Sequence, residues 1–345
     1  MKAEPMQTRY ARQTVLKEIG QDGQRMLAGA TAVVAGLGAL GSTSANLLAR
    51  AGVGTLRLVD RDIVDWTNLQ RQSLFEEEDA TRSLPKAEAA VRYLKQVNSA
   101  IRYEPVTDDI NPGNIERIVT GATVVVDGLD NFNTRALVNQ VCVKHGIPWL
   151  YGACLGTYGT AATIIPGVSA CLNCLLPDVS QAITPPLTCE TVGVLGPVAA
   201  LVAAWQSSEA LKIMVGKKDA VSDHLVHVDL WHNDFSTLPM MTRIVGCTVC
   251  GQRKFDLLEH GSRLATASLC GRDAVQILPP PSFNLDFDLL CQTLGRIFTL
   301  EQNPYLIKFR ADNHDVVVFP DGRAMVFGTS DPNAALSLYG KYIGG

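Results

Sequence analysis

The stretch Thr31–Ser42, "TAVVAGLGALGS", constrains the chain more than any other. Its apolar start runs into Gly36, Gly38 and Gly41, spaced as G-x-G-x-x-G, which describes a buried strand turning sharply into a helix. Glycines let the backbone approach a phosphate, and the helix N-terminus favours negative charge. Asp60 follows 19 residues after Gly41, at the end of "LRLVD", where a carboxylate can bind a ribose diol. The pattern predicts a nucleotide-binding βαβ unit. It does not separate NAD from ATP. The reading without a ligand is a tight strand–helix turn with Asp60 as a surface cap.

The alternation continues. Residues 8–28 read as a helix-rich opening segment. "SLPKAEAAVRYLKQVN" is a helix with an apolar stripe, and "RYEPVTDD" is a strand. "ATVVVDGLDN" is a buried strand ending in Asp127 and Asp130; a helix and the strand "IPWLYGAC" follow. Strands alternating with helices predict an α/β fold: a Rossmann-like, open, mostly parallel sheet with helices on both faces. After Ile164 the text becomes loop-like, then gives a long buried helix and a pair of strands. We expect a nucleotide-binding domain over 1–250, a linker over 251–262, and a small α+β unit over 263–345. In that unit three strands and two helices are expected, with Asp321-Gly322 as a tight hairpin turn.

Composition narrows the function. The chain has 345 residues, 47% of them hydrophobic and 19% charged, with a net charge of -4. It carries no electrostatic footprint for nucleic acid or an anionic membrane. The polar start "MKAEPMQTRYARQ" lacks a signal core, and the uncharged run Thr191–Ser208 contains Gly and Pro and is short for a span, so a cytoplasmic protein is expected. Four of the nine cysteines form two C-x-x-C pairs, Cys171/Cys174 and Cys247/Cys250, which in such a chain point to metal or thiol chemistry. Two local pairs or buried thiols remain open on spacing alone.

The segment Asp60–Phe75, "DRDIVDWTNLQRQSLF", favours a triphosphate. A dehydrogenase has no use for a polar, cationic crossing just past its ribose-binding acid. Asn68, Arg71 and Lys86 can converge on phosphates as donors and charges. Taken singly, each would more often be a solvated surface residue. Asp127 and Asp130 lie at the carboxyl edge of the sheet, where ligands sit in such folds, and one of them can hold Mg2+. For Asp127 a capping role stays open; Asp130 is the favoured metal ligand.

From "RYARQ" through "GLGALGS", "LVDRDIVDWTNLQRQ", "LPKAEAA" and "DGLDN" to "CLNC", "LTCETVGVLGP" and "CTVCG", the chain resembles the ThiF/MoeB/HesA family, bacterial relatives of ubiquitin-activating enzymes. The resemblance covers about residues 8–251. It implies ATP-dependent adenylation of the C-terminal carboxylate of a ubiquitin-fold sulfur-carrier protein ending in Gly-Gly, in thiamine, molybdopterin or tRNA-thiolation chemistry. It assigns Asp60 to ribose, Asn68 to the phosphate region, Arg71 and Lys86 to phosphates, and Asp130 to Mg2+. Arg12 would act in the partner subunit of a homodimer as an arginine finger, with Arg9 a second candidate. Cys171, Cys174, Cys247 and Cys250 would bind one structural Zn2+. Cys189, in "PPLTCETVG", is the candidate reactive thiol; a spectator loop thiol is the alternative. A cysteine desulfurase is a possible sulfur donor.

The remaining features read as structural. Cys142, Cys154, Cys270 and Cys291 are core thiols. His145 caps a helix, and His224, His227 and His232 flank a strand. The terminal Gly344-Gly345 resembles the mark of a carrier but is read as a flexible end after a helix. Three other functions are weighed. A non-protein or tRNA-linked carboxylate is disfavoured by the acidic charge and the cysteine pairs. A dehydrogenase is disfavoured by Arg71 and Lys86. An inactive docking protein is disfavoured by the intact Arg12, Asp60, Arg71, Lys86 and Asp130.

Overall fold

Alternate residues of a strand face opposite ways, so a strand buried on both sides must be apolar throughout. Strand β1 (Thr31–Ala35) meets that demand: Val34 joins one core, and Val33 and Ala35 join another. A computed structural model describes residues 6–176, 192–240, 242–259, 265–269, 273–279 and 283–344. The chain divides into two compact units, 1–260 and 261–345.

The first unit is built on an eight-stranded sheet. After β1 come β2 (Thr55–Val59), β3 (Arg102–Val106), β4 (Val124–Asp127), β5 (Trp149–Leu155), β6 (Tyr158–Ile164), β7 (His224–Asp229) and β8 (Asp234–Pro239). Their order is β3-β2-β1-β4-β5-β6-β7-β8. The first five are parallel, and β6, β7 and β8 add an antiparallel meander. One face is covered by the helices Ala39–Ala51, Lys86–Val97 and Gly196–Met214, the other by Phe132–His145 and the short Ile115–Val119. The mostly parallel sheet with helices on both faces is therefore as expected.

The chain leaves β1 toward β2 on one side and returns to β4 on the other. The carboxyl ends of β1 and β4 thus form the topological switch point, the crevice where open α/β sheets bind ligands. Helix Ala39–Ala51 stops at Gly52, whose φ of +81° supplies the left-handed C-cap. Residues 251–259, read from the sequence as linker, fold onto this unit. Helix Asp256–Glu259 packs on Phe132–His145, and the Leu257 N–H donates to Gln140 Oε1 at 3.0 Å.

The second unit is a six-stranded antiparallel sheet ordered β11-β12-β13-β14-β10-β9. Its strands are β9 (Ala265–Leu269), β10 (Ala274–Leu278), β11 (Glu301–Asn303), β12 (Leu306–Ala311), β13 (His314–Val318) and β14 (Ala324–Phe327). Helices Phe287–Leu294 and Pro332–Tyr342 pack on one face, over Val275, Ile277, Phe309, Val316 and Val326. The sequence reading found only β12, β13 and β14. It missed the two-residue turn Asp312-Asn313, with φ of +49° and +69°, between β12 and β13. Asp321-Gly322 lies, as expected, in the tight hairpin turn between β13 and β14. There the Phe319 N–H donates to the Arg323 carbonyl, enclosing a three-residue loop.

Candidate active site

The glycine turn is held by close backbone approach. Gly36 has φ +87°, and a Cβ on it would meet the Gly128 carbonyl oxygen at 2.5 Å. A Cβ on Gly41 would run into the Gly36 carbonyl oxygen. Gly38 precedes helix Ala39–Ala51 with no side-chain cap, so its first N–H groups face the crevice with the positive end of the helix dipole. Asp60 closes the other side. Its carboxylate accepts the Leu37 N–H at 2.6 Å and the Asp62 N–H at 2.8 Å. Burial pushes this carboxyl above the ordinary carboxylate range, against the pull of nearby Lys86.

The crossing after Asp60 is pinned to the start of helix Lys86–Val97. The Val64 N–H donates to the Leu84 carbonyl, and the Lys86 N–H to the Asp62 carbonyl. Lys86 is buried, with its ammonium 3.1 Å from Asp62 Oδ2. Arg61 pairs with Asp109 at 3.1 Å. Asn68 is buried too, and its Oδ1 accepts the Asp65 N–H, completing a capping box that fixes the turn Trp66–Asn68. Arg71 follows with its guanidinium donating to the Thr67 carbonyl at 2.6 Å. Its backbone lies beside Gly196, where the long helix begins. So Gly36, Gly38, Gly41, Asp60 and Lys86 are linked around the switch point through Leu37, Asp62 and Gly128, and Asn68 and Arg71 ride on the same pinned crossing.

At the end of β4 the two aspartates separate in role. Asp127 is fully buried and pairs with Arg135 Nε at 3.0 Å. Burial is the largest single influence and works against the Arg135 cation, yet Asp127, Tyr151 and Asp130 together outweigh it and raise the guanidinium's affinity for its proton. Asp130, three residues on, is exposed and accepts the Asn131 amide at 3.0 Å. Asp127 thus serves an internal ion pair, and only Asp130 of the two is placed to meet a ligand cation.

Arg12 lies elsewhere. Tyr10 is buried against Gly52, and its hydroxyl accepts the Asn98 amide at 2.8 Å; Gln13 donates to the Ala51 carbonyl at 2.8 Å. These contacts hold the "RYARQ" segment at the C-terminal end of helix Ala39–Ala51, about 18 Å along the axis from the glycine turn. Arg9 donates to the Val97 carbonyl at 2.9 Å, whereas Arg12 is exposed. Cys189 falls outside the described residues, as do Cys270 and Gly345.

The two C-x-x-C pairs meet. Cys171 and Cys174 flank a helical turn, with sulfurs 3.9 Å apart; Cys171–Cys247 is 3.7 Å and Cys174–Cys250 is 3.4 Å. All four sulfurs lie within 4.8 Å of one another and are buried. Tetrahedral thiolates about 2.3 Å from zinc stand about 3.8 Å apart, so the set fits Zn2+ and fills its coordination. Asn139 accepts the Leu172 N–H at 3.0 Å and ties this knuckle to helix Phe132–His145. Cys142 is buried, its thiol pushed up by burial. His145 pairs with Glu116, His224 with Asp223 and His232 with Asp229, and His227 stacks on Tyr158. Gly146, not His145, caps the helix.

Sequence reasoning missed Asp62, Arg61, Asp109 and Arg135. Each sits in a motif already noticed, but nothing in one sequence says which charges are buried together.

Three comparisons bear on this geometry. A model of the ThiF family matches residues 10–249. The chain belongs to the ThiF family. It is 40% identical over 341 residues to the sulfur carrier protein ThiS adenylyltransferase of Bacillus subtilis, covering 98% of this chain and 100% of that one. It is 38% identical over 251 residues to the SAMP-activating enzyme E1 of Haloferax volcanii, 73% of this chain and 91% of that one. Among solved structures, E. coli MccB with ATP superposes with a TM-score of 0.62 at 25% identity, covering 70% of this chain and 74% of that one. This ThiF-family chain is an adenylyltransferase, and its nucleotide is ATP rather than NAD. The B. subtilis relative spans the second unit as well. No helix among the described residues is long and apolar enough to cross a membrane.

Proposed function

We propose that this chain adenylates the C-terminal Gly-Gly carboxylate of a ubiquitin-fold sulfur-carrier protein. A carboxylate oxygen bonds to the α-phosphorus of ATP, the bond from that phosphorus to the α–β bridging oxygen breaks, and pyrophosphate leaves. The observation that carries the reading is the buried Lys86 ammonium beside Asp62, on a crossing fastened to the ribose-side carboxylate Asp60. In a low-dielectric pocket a fixed cation stabilises the charge that develops on the phosphates. Arg71 supplies a second cation, and the free N–H groups after Gly38 face a phosphate. Asp130 would hold Mg2+, which neutralises phosphate charge when bound. The names of the relatives support a sulfur carrier as substrate.

Arg12 would complete the site from a partner subunit: its segment is held at the far end of helix Ala39–Ala51, about 18 Å along the axis from its own glycine turn. We therefore propose a homodimer in the cytoplasm. A cysteine desulfurase would pass a persulfide sulfur to Cys189; attack of that persulfide on the acyl-adenylate would release AMP and leave the carrier as an acyl disulfide on Cys189.

Pyrophosphate exchange into ATP, run with a panel of purified Gly-Gly carriers on wild type and Asp130→Ala, tests this. Exchange with one carrier, lost in the variant, supports the reading and names the carrier. ATP binding without exchange on any carrier overturns it in favour of a non-protein or tRNA-linked carboxylate, or of a docking protein.

A further inference from the structure

We infer that Asp127 and Arg135 form a buried clamp on the loop that presents Asp130, which makes Arg135 a positioning residue for adenylation. The inference rests on the assignment of Asp130 proposed above.

Burying a carboxylate and a guanidinium together costs more than it returns unless their hydrogen bonds are filled. Here they are filled by one short loop and by Gly152 of β5. Asp127 Oδ1 accepts the Leu129 N–H at 2.9 Å. Arg135 Nη2 donates to the Leu129 carbonyl at 2.7 Å and to the Gly152 carbonyl at 2.9 Å. The guanidinium also lies over the Phe132 and Tyr151 rings, 5.5 Å from each centroid. Both peptide groups of Leu129 are therefore held by the ion pair. The second of them joins Leu129 to Asp130, so its orientation sets where the Asp130 side chain starts.

The flanks are fixed as well. Gly128 packs against the backbone of Gly36 and Gly41 so closely that a Cβ would collide with it. Asn131 caps helix Phe132–His145 through the Thr134 N–H at 2.9 Å while donating to Asp130. Asp130 is thus an exposed carboxylate on an immobilised loop. An apolar pair of similar volume would stabilise such an interior as well as the ion pair does. What the pair adds is geometry, and a metal ligand must be placed to within about 0.5 Å.

The test uses the full-length chain and an α,β-methylene ATP analogue. Its affinity is measured by calorimetry with and without Mg2+, beside thermal midpoints and pyrophosphate exchange. In Arg135→Lys, which keeps the charge but loses the fork, the affinity gained on adding Mg2+ falls about ten-fold. Exchange falls about 100-fold. Metal-free affinity and the thermal midpoint stay near wild type. The double variant Asp127→Asn/Arg135→Met removes both buried charges and shows the same loss of the Mg2+ gain while folded. A folded variant with the wild-type Mg2+ gain overturns the clamp, and so does failure of both variants to fold, since the pair is then structural. Asp130→Ala separates the two ideas. An unchanged Mg2+ gain there overturns the assignment of Asp130 itself; loss there, with retention in the clamp variants, overturns the clamp alone.

Discussion

Lys86 begins a helix with its side chain buried and its ammonium on Asp62. A cation stored against one carboxylate can exchange that carboxylate for phosphate oxygens without first being stripped of water. Lys86→Ala should lower pyrophosphate exchange by about 10²–10³-fold; a loss below ten-fold would take Lys86 out of the site. Asp60 offers a pH test. Burial raises its pKa, so its proton is held more tightly in the folded chain than in the unfolded one. The ionised form therefore works against folding, and stability from this group declines as pH rises through the raised value. Nucleotide affinity should follow the opposite course. On acidification it should fall at a pH above the ordinary carboxylate range, as the ribose acceptor is protonated. Asp60→Asn should bind more weakly and lack that limb. At this scale the sequence named Asp60, Asn68, Lys86 and Asp130 from motif spacing. It left Asp127 open and passed over Arg135, because burial of a charge pair is a property of packing that no local pattern encodes.

At the scale of elements, the glycine turn and the cysteine knuckle are the two devices built from backbone. Gly41→Ala would set a methyl group against the Gly36 carbonyl oxygen, so the turn cannot close as it stands. The expected cost is on the order of 3 kcal/mol, with loss of nucleotide binding, read by chemical denaturation and calorimetry. For the knuckle, elemental analysis should find one zinc per chain. Chelation, or Cys250→Ser, should lower the thermal midpoint by on the order of 10 °C; a full complement of zinc-free chains with an unchanged midpoint would refute a metal here. Strands buried on both faces, such as β1 and β4, were plain in the sequence because, Asp127 at the end of β4 aside, every residue in them is apolar or small. β11, three polar residues of "EQN", has no such pattern and exists only because β12 pairs with it. The hairpin at Asp312-Asn313 was passed over because Asp-Gly is the stronger written signal for a tight turn.

For the whole molecule, the placement of Arg12 leads to a test of assembly. Arg12→Ala and Asp130→Ala chains, each deficient alone, should recover roughly a quarter of wild-type exchange when co-assembled one to one. Half the dimers are then mixed, and each mixed dimer holds one complete site. No recovery would place Arg12 in its own chain's chemistry. Fold class was legible because alternating βα text admits few topologies; whether and how chains assemble is not written in any local pattern. One consequence reaches back to synthesis. The cysteine pairs that converge in one knuckle are 76 residues apart in the chain. At ribosomal rates of about 5–20 residues per second, Cys171 and Cys174 emerge about 4–15 s before their partners. During that interval the nascent chain displays two thiols in a half-built site, open to oxidation or to a misplaced metal. The yield of active enzyme from a stressed cell should therefore depend on translation speed across this interval as much as on the stability of the finished fold.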